Sequence, residues 1–191
     1  GSWAAGVVGS STAVGQGVVL RGDANGHIWF SGNNGATWAD LGAFSAGFID
    51  SITYLDNGIV IFTDSQGHIF RSTNGGTAWT DLGDFSTSAI LGSIYLGNGV
   101  ALASDGIGHI LRSTNFGLTW TNLGVLSNGG SAIQALSYLG NGAVVFGDFN
   151  GHVFNSLDYG LTWTDNPNGA ISGTVIRTIS YLSSGVVILG D

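Results

Sequence analysis

The chain has 191 residues, of which 43% are hydrophobic and 8% charged, with 34 glycines, one proline and no cysteine or methionine. Its positive charges are four arginines (Arg21, Arg71, Arg112, Arg177), its negative charges are twelve aspartates, and the net charge is −8. This excludes a phosphate-neutralising nucleic-acid surface, disulfides and cysteine-held metal, and a disordered chain, and no apolar run approaches the roughly 18 residues of a membrane span.

In chain order, the stretch from Trp3 to Val14 weakly matches a first strand, and Gly17 to Leu20 and His27 to Phe30 follow as a second and a third. A fourth starts at Trp38 and ends near Leu41. The same succession then returns. First strands are predicted at Ser51 to Leu55, Ser93 to Leu96, Leu136 to Leu139 and Ile179 to Leu182. Second strands are predicted at Gly58 to Phe62, Gly99 to Ala103, Gly142 to Phe146 and Gly185 to Leu189. Third strands open at His68, His109 and His152, and fourth strands start at Trp79, Trp120 and Trp163. The segments are short, rich in β-branched and aromatic residues, and bounded by Gly, Asn, Asp or Ser, which are strand and hairpin signals. The second strands are continuously apolar, as strands buried on both faces are. Asp56-Asn57-Gly58, Gly97-Asn98-Gly99 and Gly140-Asn141-Gly142 read as tight turns, because Asn-Gly accepts positive φ.

One eight-residue phrase recurs between the third and fourth strands. It is carried by Ser31, Asn33, Gly35 and Trp38, then by Ser72, Asn74, Gly76 and Trp79, by Ser113, Asn115, Gly117 and Trp120, and by Ser156, Asp158, Gly160 and Trp163. Its serines stand 41, 41 and 43 residues apart. Four short antiparallel strands per period of that size predict an all-β fold, a β-propeller of four-stranded blades. The units run roughly over residues 10–50, 51–91, 92–134 and 135–177, with a half unit over 178–191, in a single domain of 1–191.

The phrase resembles the Asp box, or BNR repeat, of the sialidase-like propellers, written S-x-[DN]-x-G-x-T-W. Three boxes carry Asn where Asp is usual, and Ala78 replaces the threonine. The resemblance implies that the box is the hairpin between the third and fourth strands, that Ser31 and Asn33 bond backbone groups of the turn, that Gly35 is left-handed, and that Trp38 wedges between blades. It implies a scaffold role for all four boxes.

About 4.5 repeats give five first and second strands but four third and fourth strands. Three closures are open: a five-bladed ring in which the C-terminal strands displace the N-terminal stretch, a piece of a larger propeller, or a half blade completed by another copy. The start at Gly1-Ser2, without methionine, reads as a processed protein or an excised piece.

Sialidases pair a tyrosine nucleophile with glutamate, use an aspartate as acid/base, and clamp the substrate carboxylate with three arginines. This chain has no glutamate, and Arg71 and Arg112 occupy equivalent positions beside their boxes. Asp-box glycoside hydrolases that use two aspartates need one carboxyl on each side of the scissile bond, and here most aspartates occupy one repeat slot or turns. No enzyme, cofactor or metal is expected. The other repeated slot joins Asp23 to His27, Asp64 to His68, Asp105 to His109 and Asp148 to His152, each with glycine before the histidine. One reading is a turn capped by Asp. The other is a repeated ligand site for a sugar hydroxyl or a cation, since the resemblance places these turns on the face opposite the boxes. The connections Ala43 to Asp50, Asp84 to Leu91, Val125 to Ala132 and Asn166 to Thr174 belong to that face too, where Phe44, Phe48 and Phe85 are core or solvent-facing platforms. The expected function is a non-catalytic recognition module with repeated weak sites for a glycan or cell-surface ligand. The alternatives are a structural subunit that forms a homo-oligomer or polymer through its half blade, and a glycoside hydrolase. Depletion of Lys, Glu, Cys and Met suggests an extracellular, cell-surface or virion setting.

Overall fold

The computed structural model describes residues 8–166, 174–183 and 186–190. The start of the expected first strand at Trp3, most of the Asn166–Thr174 connection, and the alignments of Gly185 and Asp191 lie outside the described residues. The chain divides into two compact units, residues 1–90 and 91–191.

In the first unit, β1 (Val8–Gly15), β2 (Val18–Asp23), β3 (His27–Ser31) and β4 (Ala39–Ala43) form one antiparallel sheet in chain order. β5 (Ile49–Asp56), β6 (Ile59–Asp64), β7 (His68–Ser72) and β8 (Thr80–Asp84) form the next. In the second unit, β9 (Ile90–Gly97), β10 (Val100–Asp105), β11 (His109–Ser113) and β12 (Thr121–Val125) form a third sheet. β13 (Ile133–Gly140), β14 (Ala143–Asp148), β15 (Val153–Ser156) and β16 (Thr164–Asp165) form a fourth, and β17 (Thr178–Ser183) pairs with β18 (Val186–Gly190).

The expected strand order is the observed one. The fourth strands begin one residue after each tryptophan, and the first three run two residues past the expected leucine. The extension follows from a bulge. Asp40, Asp81 and Asn122 each accept the amide of the glycine two residues on, at 2.8 Å. Those glycines, Gly42, Gly83 and Gly124, have positive φ, so the ladder shifts register and resumes. In the fourth sheet the sequence changes to Asn166-Pro167 at this point, and β16 is two residues long.

The middle strands are buried as their apolar runs predict: five of the six residues of β6, β10 and β14 are buried. Between the first two sheets Leu20 and Ile28 pack against Ile52, Val60, Phe62 and Phe70. Phe62 stacks on Phe70 at 4.4 Å between centroids and meets Trp79 edge-on at 4.8 Å. The fourth sheet repeats this with Phe146 against Phe154 at 4.6 Å and Trp163 at 4.8 Å. Such pairs add about 0.5–1.5 kcal/mol beyond area burial. Phe44 is half-buried and packs on Trp79 in the same cluster, so it belongs to the core. The β17–β18 hairpin rests through Ile179 and Leu189, with Ile176 beside it, on Ala135, Val145 and Val153.

Candidate functional site

Each box closes on its own backbone. Ser31 Oγ accepts the amides of Asn33 (3.3 Å) and Gly35 (2.9 Å) and donates to Asn33 Oδ1 (2.9 Å), which accepts the Thr37 amide (2.8 Å). The same serine-centred set recurs at Ser72, Ser113 and Ser156. Asn33 and Asn115 also donate Nδ2 to Thr37 and Thr119 Oγ1 at 2.8 Å, a bond that Ala78 cannot accept for Asn74. Asp158 reverses the sense, accepting the Thr162 hydroxyl at 2.6 Å. The hydroxyl and amide bonds from Thr162, with those from Ser156 and Leu161, outweigh desolvation and hold its carboxyl down at about 2.

The box glycine is left-handed in all four cases, and two of these positions show a second requirement. A Cβ on Gly76 would lie 2.2 Å from Leu20, and one on Gly160 2.6 Å from Leu102, each on the preceding sheet. The residue before it is left-handed too, including Phe116 and Tyr159, whose side chains carry no turn signal. Its amide bonds the glycine carbonyl of the first hairpin, as Tyr159 does with Gly142 at 2.9 Å, and this bond over-determines the strained φ.

At the other end of each third strand, the Asp–His slot forms an Asx turn. Oδ1 of Asp23, Asp64, Asp105 and Asp148 accepts the amide two residues on and the histidine amide, at 2.8–3.1 Å. The four carboxylates are buried. Their second oxygens are also engaged: Asp23 with Trp29 Nε1 (2.9 Å), Asp64 with Ser45 Oγ (2.5 Å), Asp105 with His109 Nδ1 (2.8 Å) and Asp148 with the Asn128 amide (3.3 Å). Burial pushes Asp23 upward, but the bonds from Trp29, Asn25 and His27 prevail and hold it below the ordinary carboxylate value. Ser45 and Asn128 lie on inter-sheet connections, which clasp these turns; Phe44, Phe85 and Leu126 donate their amides to Gly26, Gly67 and Gly108.

The four imidazoles are half-buried. His27 Nδ1 bonds Asp40 (2.9 Å) and His68 Nδ1 bonds Asp81 (3.0 Å), while His152 Nδ1 stands 3.4 Å from Asp165 without hydrogen-bond geometry. The third fourth-strand residue is Asn122, and there His109 turns to Asp105 instead. Sequence reasoning missed these partners, although each follows a box tryptophan by two residues. His68 has a further carboxylate, Asp84, 2.5 Å from Nε2. Burial lowers its basicity, but Asp81, Asp64 and Asp84 together outweigh that and raise it above the ordinary histidine value. Among the described residues no group of three or more ligating side chains is arranged to hold a metal ion.

Asp50 in β5 breaks the pattern: Leu91, Gln134 and Arg177 fill its slot elsewhere. Its Oδ2 is buried without a hydrogen-bond partner, and desolvation, with the Asp64 charge, pushes its carboxyl up to about 7.

No family model matches the chain, and no curated protein matches it. Solved structures do. An ancestral GH74 enzyme is 20% identical over 83% of this chain and 24% of its own, with a TM-score of 0.72. YCF48 from Cyanidioschyzon merolae is 17% identical over 99% of this chain and 68% of its own, at 0.70. YCF48 bound to D1 peptide is 18% identical over 98% of this chain and 62% of its own, at 0.73. The chain thus spans about a quarter of the GH74 enzyme's length and about two thirds of YCF48's. Four-stranded antiparallel sheets in chain order, together with these likenesses, make the fold a β-propeller.

Proposed function

We propose that this chain is a non-catalytic propeller recognition module of the Asp-box type, a single domain over residues 1–191, with one weak site per full sheet. One observation carries the reading. Each full sheet presents a half-buried histidine at the same end of its third strand, held by a carboxylate at His27, His68 and His109 and with Asp165 within ionic reach at His152. The buried Asp23, Asp64, Asp105 and Asp148 set the turns, so ligand contact falls to His27, His68, His109 and His152. Such imidazole–carboxylate pairs suit hydroxyl-rich or peptide ligands, and repetition gives avidity. Peptide binding by YCF48 supports the same class of use for this fold. Nine of the eleven described aspartates hold a turn, a histidine or a box and Asp165 stands within ionic reach of His152, which speaks against a glycosidase pair, and the GH74 likeness at 20% identity carries only the fold. An extracellular, cell-surface or virion setting rests on composition alone.

The test is a combined glycan and peptide array probed with the folded chain. A bound class should be lost stepwise as His27, His68, His109 and His152 are changed to Ala, with thermal melting kept. An empty array, binding indifferent to these changes, or turnover of a polysaccharide would sink the proposal.

Self-assembly is a second reading, favoured by the β17–β18 hairpin. Among the described residues β18 pairs only with β17, whereas β2, β6, β10 and β14 are paired on both edges, and Leu182 and Ile188 are exposed. An open strand edge of this kind accepts added strands. Light scattering over a concentration range tests it: an oligomer supports the reading, and a monomer throughout removes it.

A further inference from the structure

Arg112 stands one residue before the box serine Ser113, at the end of β11 opposite His109. Its Nε donates to the carbonyl oxygen of Tyr159 at 2.9 Å, on the fourth sheet's box. That carbonyl is fixed, because Tyr159 is left-handed (φ 58°) and its amide is tied to Gly142. The anchor orients the guanidinium plane and leaves four Nη–H donors. Arg112 has no carboxylate partner among the described residues, in a chain of net charge −8.

The guanidinium borders a pocket of about 190 Å³ lined also by Thr114, Thr119, Thr121, Leu123 and Leu161. Thr119 Oγ1 accepts Asn115 Nδ2 at 2.8 Å, so its own proton remains to be donated. Leu161 is exposed. The scaffold does not demand this polar set. The Arg112 slot holds Phe30, Arg71 and Asn155 in the other units, the Thr114 slot holds Gly32, Thr73 and Leu157, and the Thr121 slot holds Ala39, Thr80 and Thr164.

We infer that this pocket binds a carboxylate carried on a small hydroxyl-bearing unit, of the uronate class. The planar guanidinium fork matches a carboxylate, its Nε anchor pre-orients it, and the threonine hydroxyls meet the adjoining hydroxyl groups. The volume falls below the roughly 300–1,000 Å³ of drug-sized sites, which fits one sugar unit rather than an extended chain. The site lies at the box end of the sheets, so it stands or falls apart from the histidine sites at the opposite end.

The test follows the Arg112 Nε–H and Thr121 amide signals of the full chain by NMR as sodium glucuronate is added, with glucose and sodium chloride as controls. Glucuronate should give a saturable shift and the controls none. Arg112→Asn, the residue the repeat itself carries at Asn155, should weaken binding by at least about tenfold, as loss of a charge-assisted hydrogen bond does. Thr121→Ala, which copies Ala39, should weaken it about threefold through one neutral hydrogen bond, and it carries the test if Arg112→Asn fails to fold. No saturation with glucuronate, an equal response to glucose, or unchanged affinity in the variants overturns the inference.

Discussion

Asp158 and Asp50 are pulled in opposite directions by their surroundings. In the box, Asp158 is held at about 2 by bonds from Thr162 and its neighbours. A carboxyl depressed on folding contributes stability above its unfolded value near 4, and that contribution is lost as pH falls from about 4 to 2. Asp158→Asn should nonetheless leave stability at pH 7 within about 0.5 kcal/mol, since Asn33 and Asn115 occupy the same slot and bond their threonines in the opposite sense, Nδ2 donating to Oγ1. It should flatten the acid limb of urea denaturation between those pH values; an unchanged limb would show that another group causes it. Asp50 is the reverse case. Its value rises to about 7 through burial and the Asp64 charge, so the folded state binds its proton more tightly. Stability is then lost as pH rises from about 4 to 7. Asp50→Asn should raise Tm at pH 8 by a few degrees, at roughly 2–4 °C per kcal/mol for a chain of this size, and by less at pH 4. An equal shift at both pH values would assign the effect to packing. The box role of Asp158 was legible from the repeat, because three other copies show the slot. Asp50 was not, since the only signal was its departure from the period at Leu91, Gln134 and Arg177.

Strand identity and order were legible because apolar runs and Asn-Gly turns recur at one spacing. The ends of the fourth strands were not, because the bulge depends on Asp40, Asp81 and Asn122 capping a glycine amide, which alternation does not reveal. The same capping residue hid the histidine partners, since a contact 13 residues apart across a bulged ladder has no local sequence signature. Glycines at the turns separate two physical demands. Gly83 has φ 96° and open space within 4 Å of where a Cβ would stand, whereas Gly67 has φ 93° and a Cβ there would lie 2.0 Å from the Ser86 carbonyl oxygen. Gly83→Ala should cost about 1 kcal/mol, for the left-handed conformation alone. Gly67→Ala must also move the inter-sheet connection and should cost more than about 3 kcal/mol. Equal costs in chemical denaturation would mean that the connection yields freely.

Across the whole chain, the same serine-centred turn appears twice in each compact unit. Repeat arrays draw stability from each unit and its neighbours, so equivalent positions are expected to open at similar free energies. The central claim is that the serine, the Asn or Asp and the glycine of the repeated phrase are scaffold in every copy, which leaves recognition to the side chains around them. Native-state hydrogen exchange of the Gly35, Gly76, Gly117 and Gly160 amides tests this most directly, because each donates to its box serine at 2.9–3.0 Å. The account predicts all four amides protected alongside the second-strand amides of their own sheets. Exchange at the rate of an open chain in any one box, while its strands stay protected, would contradict it.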